Sequence, residues 1–298
     1  MKDMATRSTL KPLLLGACLL ALSPLPALAT DPAPVAQVAM PDTETWDIQA
    51  AHGQTYRIFV SRPQGEAPKD GYPVLYVLDG NAMFAGFAEA RRIQSVYRDG
   101  QDKMIVVGIG YPGDTPYDPR RMGDFTAPIA TPALKALYKE FPAGGRDQFV
   151  AFLIDQLRPE IAKRYNIHPV RQSLYGHSLG GLFALHMLYS RPGAFHTIIA
   201  ASPSIWWDNQ AIVAEEPAFR ARLEKEPALG RGTRLLMLTG EREETEVTVT
   251  DSAALAKRLE PLSAYGLRSS YKVLDGETHV TVPARSVTMV LRAVMQWP

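Results

Sequence analysis

Cysteine is nearly absent from the chain, which has one in 298 residues, and charge of one sign does not dominate it. Cys18 has no partner for an internal disulfide, and no Cys/His cluster with zinc-ligand spacing accompanies it, which excludes a disulfide framework and a structural zinc site. The 32 basic against 31 acidic side chains, without a block of like charge, argue against a general polyanion binder such as a nucleic-acid-binding protein. The 46% hydrophobic and 21% charged residues are typical of a globular protein with a sizeable core.

Long hydrophobic runs are also scarce, and the clearest one stands near the N-terminus. Basic side chains precede the apolar residues 13–22, and residues 27–29 (ALA) form a small-x-small cleavage site, which together are typical of a secretory signal peptide. The run is too short to span a bilayer. We therefore expect a signal peptide over 1–29, a Pro/Ala-rich leader over 30–41, and export of the mature protein.

A lipid anchor is the alternative interpretation of this segment. Residues 15–18 (LGAC) resemble a lipoprotein box, which would acylate Cys18 and tether the protein to a membrane. Few apolar residues precede Cys18, and the apolar run continues past it instead of turning polar. A soluble exported protein is therefore the favoured interpretation.

Residues 42–298 are predicted to form one domain of alternating strands and helices, without internal repeats. Short apolar runs between turn residues predict strands, and apolar residues spaced three and four apart predict helices. The predicted strands are 55–60, 74–78, 104–109, 173–177, 197–201, 235–239 and 271–274, and the predicted helices are 147–165, 179–189, 252–259 and a terminal helix from Pro283. The later strands are continuously apolar, so we expect a three-layer α/β sandwich with a mostly parallel sheet and an antiparallel edge before Val74.

The segment that carries the chemistry is 176–181, which reads GHSLGG. It contains the G-x-S-x-G pattern between a predicted strand and a predicted helix, so Ser178 is expected on the sharp turn of a nucleophile elbow. That turn exposes the hydroxyl at the helix N-terminus, where the N–H of Leu179 faces any oxyanion formed on attack. A chance match in a glycine-containing turn is the alternative, and the flanking strand and helix favour catalysis.

A serine nucleophile requires a base, and the chain order of the fold selects one of the six histidines. α/β-Hydrolases place the acid and then the histidine after the nucleophile. His279 follows the last predicted strand in a polar turn before the terminal helix, so it is the predicted base. The others precede the nucleophile, adjoin it, or lie on the elbow helix and next strand: His52, His168, His177, His186 and His196. His177 is expected to point across the sheet from Ser178.

The orienting acid is expected after the strand 235–239, where residues 240–244 read GEREE. Its task is to hold the imidazole in one tautomer and stabilise the imidazolium. Glu243 is the predicted acid, because in this fold the acid often stands three residues after the glycine that closes the strand. The alternatives are Glu241, Glu244, Asp251, a solvated acidic turn, or a serine and histidine that work with little help from an acid.

The second oxyanion donor is expected in the loop 79–84 (DGNAMF), which follows the strand 74–78. Gly80 allows the backbone to approach a substrate oxygen, and the N–H of Asn81 is the predicted donor beside that of Leu179. The alternative is that Asp79 and Gly80 form an ordinary turn.

Four segments carry a resemblance to a known family: 78–81 (LDGN), 124–126 (DFT), 176–183 (GHSLGGLF) and 201–207 (ASPSIWW). Together they make the chain similar to an esterase branch of the α/β-hydrolases. Within it, the chain is most similar to periplasmic catecholate-siderophore esterases, which hydrolyse the trilactone of enterobactin and its relatives. The resemblance extends from Gln54 to the C-terminus and implies an α/β-hydrolase fold and a periplasmic location, in agreement with the leader.

The resemblance implies a bulky, aromatic, anionic substrate, for which a site should offer cations and flat side chains. Candidate side chains follow the C-terminal ends of predicted strands, the edge where open α/β sheets bind ligands. They are Arg91, Arg92, Arg121, Trp206 and Trp207, of which Arg121 and one of the two tryptophans are favoured. The alternatives are solvated arginines and tryptophans of the core.

Three functions fit these observations. The first is a periplasmic serine esterase that cleaves ester or lactone bonds of ferric or iron-free catecholate siderophores and so helps to release iron. The second is a general carboxylesterase, feruloyl-type esterase or acyltransferase with the same machinery. The third is a non-catalytic siderophore-binding protein, against which Ser178 and His279 argue. Iron would be part of the substrate, so no cofactor and no resident metal are implied, and neither a nucleic-acid partner nor a membrane span is expected.

Overall fold

The fold is built around one sheet, seen in a computed structural model that describes residues 39–96, 103–141, 143–243 and 246–295. Its strands are β1 (Thr43–Gln49), β2 (Thr55–Ser61), β3 (Tyr72–Leu78), β4 (Ile105–Gly110), β5 (Ile167–His177), β6 (Thr197–Ala201), β7 (Arg234–Gly240) and β8 (Arg268–Leu274). They lie in the order β1-β2-β4-β3-β5-β6-β7-β8. From β4 to β8 all neighbours are parallel, whereas β2 is antiparallel to both β1 and β4.

Burial on both faces explains why the central strands are continuously apolar. All residues of β3 and of β6 are buried, whereas β2 alternates between buried and partly exposed residues. The predicted mostly parallel sheet with an antiparallel edge before Val74 is confirmed. The sequence analysis missed β1, because polar residues and a partly exposed surface leave it without the apolar run that marks the other strands.

Helices cover both faces of the sheet. They are α1 (Gly80–Gln94), α2 (Arg121–Phe125), α3 (Pro132–Leu137), α4 (Arg146–Ala151), α5 (Arg158–Arg164), α6 (Leu179–Ser190), α7 (Trp207–Gln210), α8 (Glu216–Lys225), α9 (Pro227–Arg231), α10 (Glu246–Leu259) and α11 (Val282–Met295). A π-helical segment, Phe152–Leu157, joins α4 to α5, so the helix predicted over 147–165 is continuous but changes its hydrogen-bond pattern midway. The three-layer α/β sandwich is confirmed.

Two apolar clusters hold the layers together. One packs α6 and the helices α4 and α5 against the sheet, and its centre includes Phe149, Phe183 and Leu185. The other packs α1 and α11 against the opposite face, around Phe87, Tyr175 and Val290. The elbow helix α6 is enclosed on all sides, with 11 of its 12 residues buried, which fixes the position of the segment that begins it.

The predicted signal peptide over 1–29, the lipid-anchor alternative at Cys18 and nearly all of the predicted leader over 30–41 lie outside the described residues. They stay predictions. Residues Met40–Pro298 make up one compact unit. Within the described ranges, no helix has both the length and the apolar character needed to cross a bilayer.

Candidate active site

Ser178 stands on a strained turn between β5 and α6. Its backbone has φ 58° and ψ −119°, a region that costs a non-glycine residue about 1–3 kcal/mol. Two main-chain hydrogen bonds fix the turn. The Ser178 N–H donates to the carbonyl of Ala201 at 3.0 Å, and the Ser178 carbonyl accepts from the N–H of Leu182 at 3.0 Å. The surrounding structure therefore maintains a conformation that presents the hydroxyl at the carboxyl edge of the sheet.

Glycine is required at two positions of this elbow because strand and helix approach closely. A Cβ on Gly176 would lie 2.0 Å from the carbonyl oxygen of Gly180, and one on Gly181 would lie 2.9 Å from the carbonyl oxygen of Ala201. A Cβ on Gly180 would make only an ordinary contact, 3.4 Å from Asp79. Of the two helix glycines it is thus Gly181, the sixth residue of the segment, that permits a close approach, and not Gly180, the second glycine of the G-x-S-x-G pattern.

A buried carboxylate holds the imidazole of His279. The Nδ1–H of His279 donates to Glu243 Oε2 at 2.7 Å, while Glu243 Oε1 accepts from the Ser202 hydroxyl at 2.5 Å and from the N–H of Gly240 at 3.0 Å. Burial alone would raise the pKa of Glu243, but these three hydrogen bonds lower it below its usual value. Glu243 is therefore a carboxylate at neutral pH, and it leaves Nε2 of His279 as the proton acceptor.

The alternative acids lie elsewhere. Glu241 is exposed and its Oε2 accepts from the N–H of Gly276 at 2.8 Å. Asp251 accepts from the side chain of Gln210 at 2.8 Å. Glu244 lies outside the described residues. Of the described candidates, the structure brings Glu243 to His279.

The loop after β6 contacts both the acid and the nucleophile. Ser202, which has φ 41°, donates to Glu243, and Ser204 Oγ lies 3.3 Å from Ser178 Oγ. In the described part of the chain, no hydrogen bond joins Ser178 Oγ to His279; such bonds are often long before substrate arrives. The sequence analysis used 201–207 only as part of a resemblance and missed both serines. The signal was the S-P-S spacing at the end of a strand that neighbours the elbow strand.

His177 contacts the main chain of the base. Its Nε2–H donates to the carbonyl of His279 at 2.9 Å, and the two rings lie 4.6 Å apart between centroids. Burial, together with the neighbouring His279, lowers the pKa of His177 to about 3. His177 is therefore neutral at physiological pH and holds the backbone of His279 as an uncharged donor. The sequence analysis set His177 aside as a neighbour of the nucleophile.

We expect replacement of His177 by leucine to lower kcat by about 10²-fold, the loss that a displacement of roughly 1 Å brings to a catalytic group. His177→Gln can still present an N–H near the position of Nε2, so its loss should be much smaller. KM should change little in either variant, because the His177 side chain is buried and is bonded to the main chain of His279. Steady-state kinetics with p-nitrophenyl butyrate measures both constants. Equal losses in the two variants, or a change confined to KM, would contradict this role.

The two predicted oxyanion donors begin two helices at neighbouring strand ends. Leu179 is the first residue of α6 and Asn81 the second of α1, and among the described residues neither backbone N–H has an acceptor. Such N–H groups at helix starts are free to bind an anion. The side chain of Asn81 is committed elsewhere: its Oδ1 accepts from the N–H of Tyr111 at 2.8 Å, and its Nδ2 donates to the carbonyls of Tyr111 and Gly113, both at 3.0 Å.

A buried ion pair fixes the loop that carries Asn81. Arg121 Nε and Nη2 donate to the two carboxylate oxygens of Asp79 at 2.6 and 2.9 Å. Asp79 has φ 54° and its side chain is 1% exposed, and that of Arg121 is 13% exposed. The guanidinium of Arg121 also lies over the rings of Tyr117 and Phe125, 5.4 and 5.3 Å from their centroids. Arg121 thus lies beside the loop that carries Asn81, with its hydrogen bonds directed to Asp79, and its predicted contact with substrate stays a prediction.

We expect Arg121→Met to lower the free energy of unfolding by about 3–5 kcal/mol, because it leaves the Asp79 carboxylate buried without its partner. The double variant Arg121→Met/Asp79→Asn should recover part of this loss, since the uncompensated charge is then absent. Urea unfolding of the three proteins measures the difference. Additive effects of the two substitutions would contradict a direct interaction.

The structure does not bring Arg91 and Arg92 to the site. Both lie in the last turn of α1, which starts at the site and runs back for about 18 Å along the sheet. Arg91 is 2% exposed and donates to Ser61 Oγ at 2.9 Å, and Arg92 pairs with Glu89 at 2.7 Å. The substrate-binding role expected for this pair is corrected: the length of the helix carries both arginines to the opposite end of the strands.

The two adjacent tryptophans have different environments. Trp207 is 4% exposed and packs against Tyr138, with ring centroids 5.0 Å apart. Trp206 is 37% exposed and stands two residues after Ser204. Trp206 is therefore the tryptophan whose ring is open to solvent, and Trp207 is part of the core.

No group of three or more His, Cys, Asp or Glu side chains is placed to hold a metal ion within the described ranges. What the site offers is a hydroxyl on a strained turn, an imidazole aligned by an ionised carboxylate, and N–H groups at two helix starts that have no acceptor in the described part of the chain. A mostly parallel sheet that ends in these groups is the arrangement of the α/β-hydrolases, so the geometry defines the class of the protein.

Comparison with known proteins identifies the family. The family model described as "Putative esterase" matches residues 49–282, and the chain belongs to this family. It is a carboxylic ester hydrolase. It is 38% identical over 246 residues to the ferri-bacillibactin esterase BesA of Bacillus subtilis, covering 80% of this chain and 84% of that protein. It is 34% identical over 198 residues to the siderophore enterobactin esterase of Emericella nidulans, covering 62% of this chain and 65% of that protein.

Solved structures agree with this assignment. The crystal structure of the BES protein from Bacillus cereus matches with a TM-score of 0.80 at 33% identity, over 89% of this chain and 99% of that one. The resemblance to siderophore esterases stated from the sequence motifs is confirmed.

Proposed function

We propose that this esterase hydrolyses the lactone bonds of catecholate siderophores, and that it does so in the periplasm. The observation that carries the proposal is the hydrogen-bonded pair of His279 and Glu243 beside an elbow serine, in a chain similar to proteins named as siderophore esterases. A binding protein without turnover would have no use for a strained nucleophile turn. The signal peptide predicted over 1–29 supports export.

In the proposed mechanism Ser178 attacks the lactone carbonyl while Nε2 of His279 takes its proton. The N–H groups of Leu179 and Asn81 bind the oxyanion of the tetrahedral intermediate. His279 then returns the proton to the leaving hydroxyl, which leaves an acyl group on Ser178. Water, activated by the same imidazole, attacks this acyl-enzyme and releases the acid.

The environment of Glu243 supports the charge changes of this cycle. His279 becomes an imidazolium in each tetrahedral step, and the ionised carboxylate 2.7 Å from its Nδ1 stabilises that charge. The donors Ser202 and Gly240 keep Glu243 ionised and correctly oriented. Each oxygen of the carboxylate thus has a partner before the reaction begins.

The rim of the site suits a flat, aromatic substrate. Trp206 and Tyr117 are 37% and 44% exposed and lie on two different loops at the carboxyl edge. The guanidinium of Arg121, paired with Asp79, lies against the Tyr117 ring and supports its position. Catecholate rings can stack on the two exposed aromatic side chains.

The test is hydrolysis of ferric and iron-free enterobactin by protein that begins at Thr30, followed by chromatography of the products. We expect the kcat/KM for the trilactone to be much higher than the kcat/KM for p-nitrophenyl butyrate. The Ser178→Ala variant should cleave neither substrate. Trp206→Ala should raise KM for the trilactone only, since the aryl ester is too small to need the rim. Turnover of the aryl ester without cleavage of the trilactone would replace this proposal with a general carboxylesterase.

A further inference from the structure

A cationic groove lies between β8 and α11, away from Ser178. It has a volume of about 640 Å³ and begins at the amino ends of β6, β7 and β8, the edge of the sheet opposite the elbow. Its volume falls within the range of small-molecule sites, about 300–1,000 Å³. The cations that line it on the strands and on the helix are Arg234, Arg268, Lys272, Arg285 and Arg292.

Five of the lining residues are cations, and among the described residues no carboxylate lines the groove. Arg285 has a carboxylate neighbour outside it, Glu277, at 3.5 Å. Burial, together with the charge of Arg268, lowers the pKa of Arg234. The groove therefore gathers positive charge on one surface of a chain whose net charge is only +1. An anion bound there would meet several cations at once.

Protection of an exposed sheet edge does not account for this cluster. Edge strands often carry Lys or Arg to prevent pairing with other chains, and Arg268 and Lys272 on β8 fit that explanation. Arg234, however, belongs to the inner strand β7, and the remaining two cations are on a helix. Three of the five thus have no part in protecting the edge.

The cations form two poles, which are groups of positive charge at the two ends of the groove. The chain runs along β8 from Arg268 to Lys272, about 13 Å, and returns along α11 from Arg285 to Arg292, about 10 Å. Because the helix runs back along the strand, Arg268 lies toward the Arg292 end of the groove and Lys272 toward the Arg285 end. Between the poles the lining is apolar, with Leu236 and Met289, and carries the hydroxyls of Ser270 and Thr288.

We propose that this groove is a second binding site, for a small amphiphilic dianion whose two acidic groups stand at opposite ends of an apolar body. Guanidinium groups and hydroxyls suit sulfonate, phosphate or carboxylate ends, and the apolar lining suits an aromatic or aliphatic middle. This inference goes beyond the proposed esterase function and does not depend on it.

The test uses biphenyl-4,4′-disulfonate as the probe and biphenyl-4-sulfonate as its matched control with one acidic group. Isothermal titration calorimetry with the full mature protein should give a Kd at least tenfold lower for the disulfonate, and the disulfonate should raise Tm. The double variants Arg268→Gln/Arg292→Gln and Lys272→Gln/Arg285→Gln each remove the two facing cations of one pole and should each abolish most of the preference for the disulfonate. Arg62→Gln changes an exposed arginine elsewhere and should keep it.

Three results would overturn the proposal. They are equal affinity for the two probes in the wild-type protein, an unchanged preference in both groove variants, and competitive inhibition of ester hydrolysis with a Ki equal to the measured Kd. The last would place the probe at the catalytic edge. Ester hydrolysis by the groove variants shows that they are folded, so loss of probe binding and loss of the esterase activity are distinguished.

Discussion

Replacement of Ser178 by alanine is expected to lower kcat for ester hydrolysis by about 10⁶-fold, the loss seen when the serine of a serine-protease triad is removed. The reason is that the acyl group has no other acceptor held at the start of α6, where the N–H groups can bind an oxyanion. The same variant should not react with a fluorophosphonate probe. Intact-mass spectrometry after incubation with the probe measures this directly.

Ser204→Ala is the matched control, because its hydroxyl lies 3.3 Å from that of Ser178 on the same edge. This variant should still be labelled, and peptide mapping should find the adduct on Ser178. Both alanine variants should unfold at nearly the same temperature as the wild-type protein. Labelling of the Ser178→Ala protein would move the nucleophile to another residue.

Glu243→Gln is expected to lower kcat by about 10⁴-fold at neutral pH, the size of a wrong-tautomer effect. Ser202 and Gly240 both donate to Oε1, so the amide oxygen of the glutamine should take that place. The amide NH₂ then faces Nδ1 of His279 and donates to it. His279 is forced to carry its proton on Nε2, where it cannot accept one from Ser178.

Two further variants isolate this effect. Glu243→Ala leaves His279 free to adopt either tautomer, so its loss should be smaller than that of Glu243→Gln. Glu241→Gln changes an exposed neighbour that bonds only the Gly276 N–H among the described residues, and it should keep nearly full activity. The pH profile of kcat/KM measures all three. A larger loss in the alanine variant would show that the charge of Glu243 matters more than the tautomer it imposes.

Local patterns account for what the sequence could predict. The elbow is specified by residues that are neighbours in the chain, and the buried strands by continuous apolar runs, so both were accessible without long-range information. Glu243 was accessible because its carboxylate folds back on Gly240, three residues earlier. The order of acid and base after the nucleophile then pointed to His279.

Contacts between distant segments account for what the sequence could not predict. His177 meets the carbonyl of a residue 102 positions later, and Ser202 meets an acid 41 positions later. Nothing in the neighbourhood of either residue indicates its partner. The misplacement of Arg91 and Arg92 had a simpler cause: they were placed by the strand and loop that they follow, without the length of the helix that carries them away from that loop.

The loops that carry Asn81 and Tyr117 are joined at two points, by the Asn81 amide across Tyr111 and by the salt bridge from Asp79 to Arg121. They therefore form one hydrogen-bonded unit, which carries the predicted oxyanion donor at one end and the aromatic surface proposed for the distal part of the substrate at the other. A ligand that fits poorly against Tyr117 shifts the donor as well. Selectivity that depends on Tyr117, unlike that of Trp206, should consequently be expressed in turnover more than in KM, because fit at Tyr117 is converted into alignment at the scissile carbonyl.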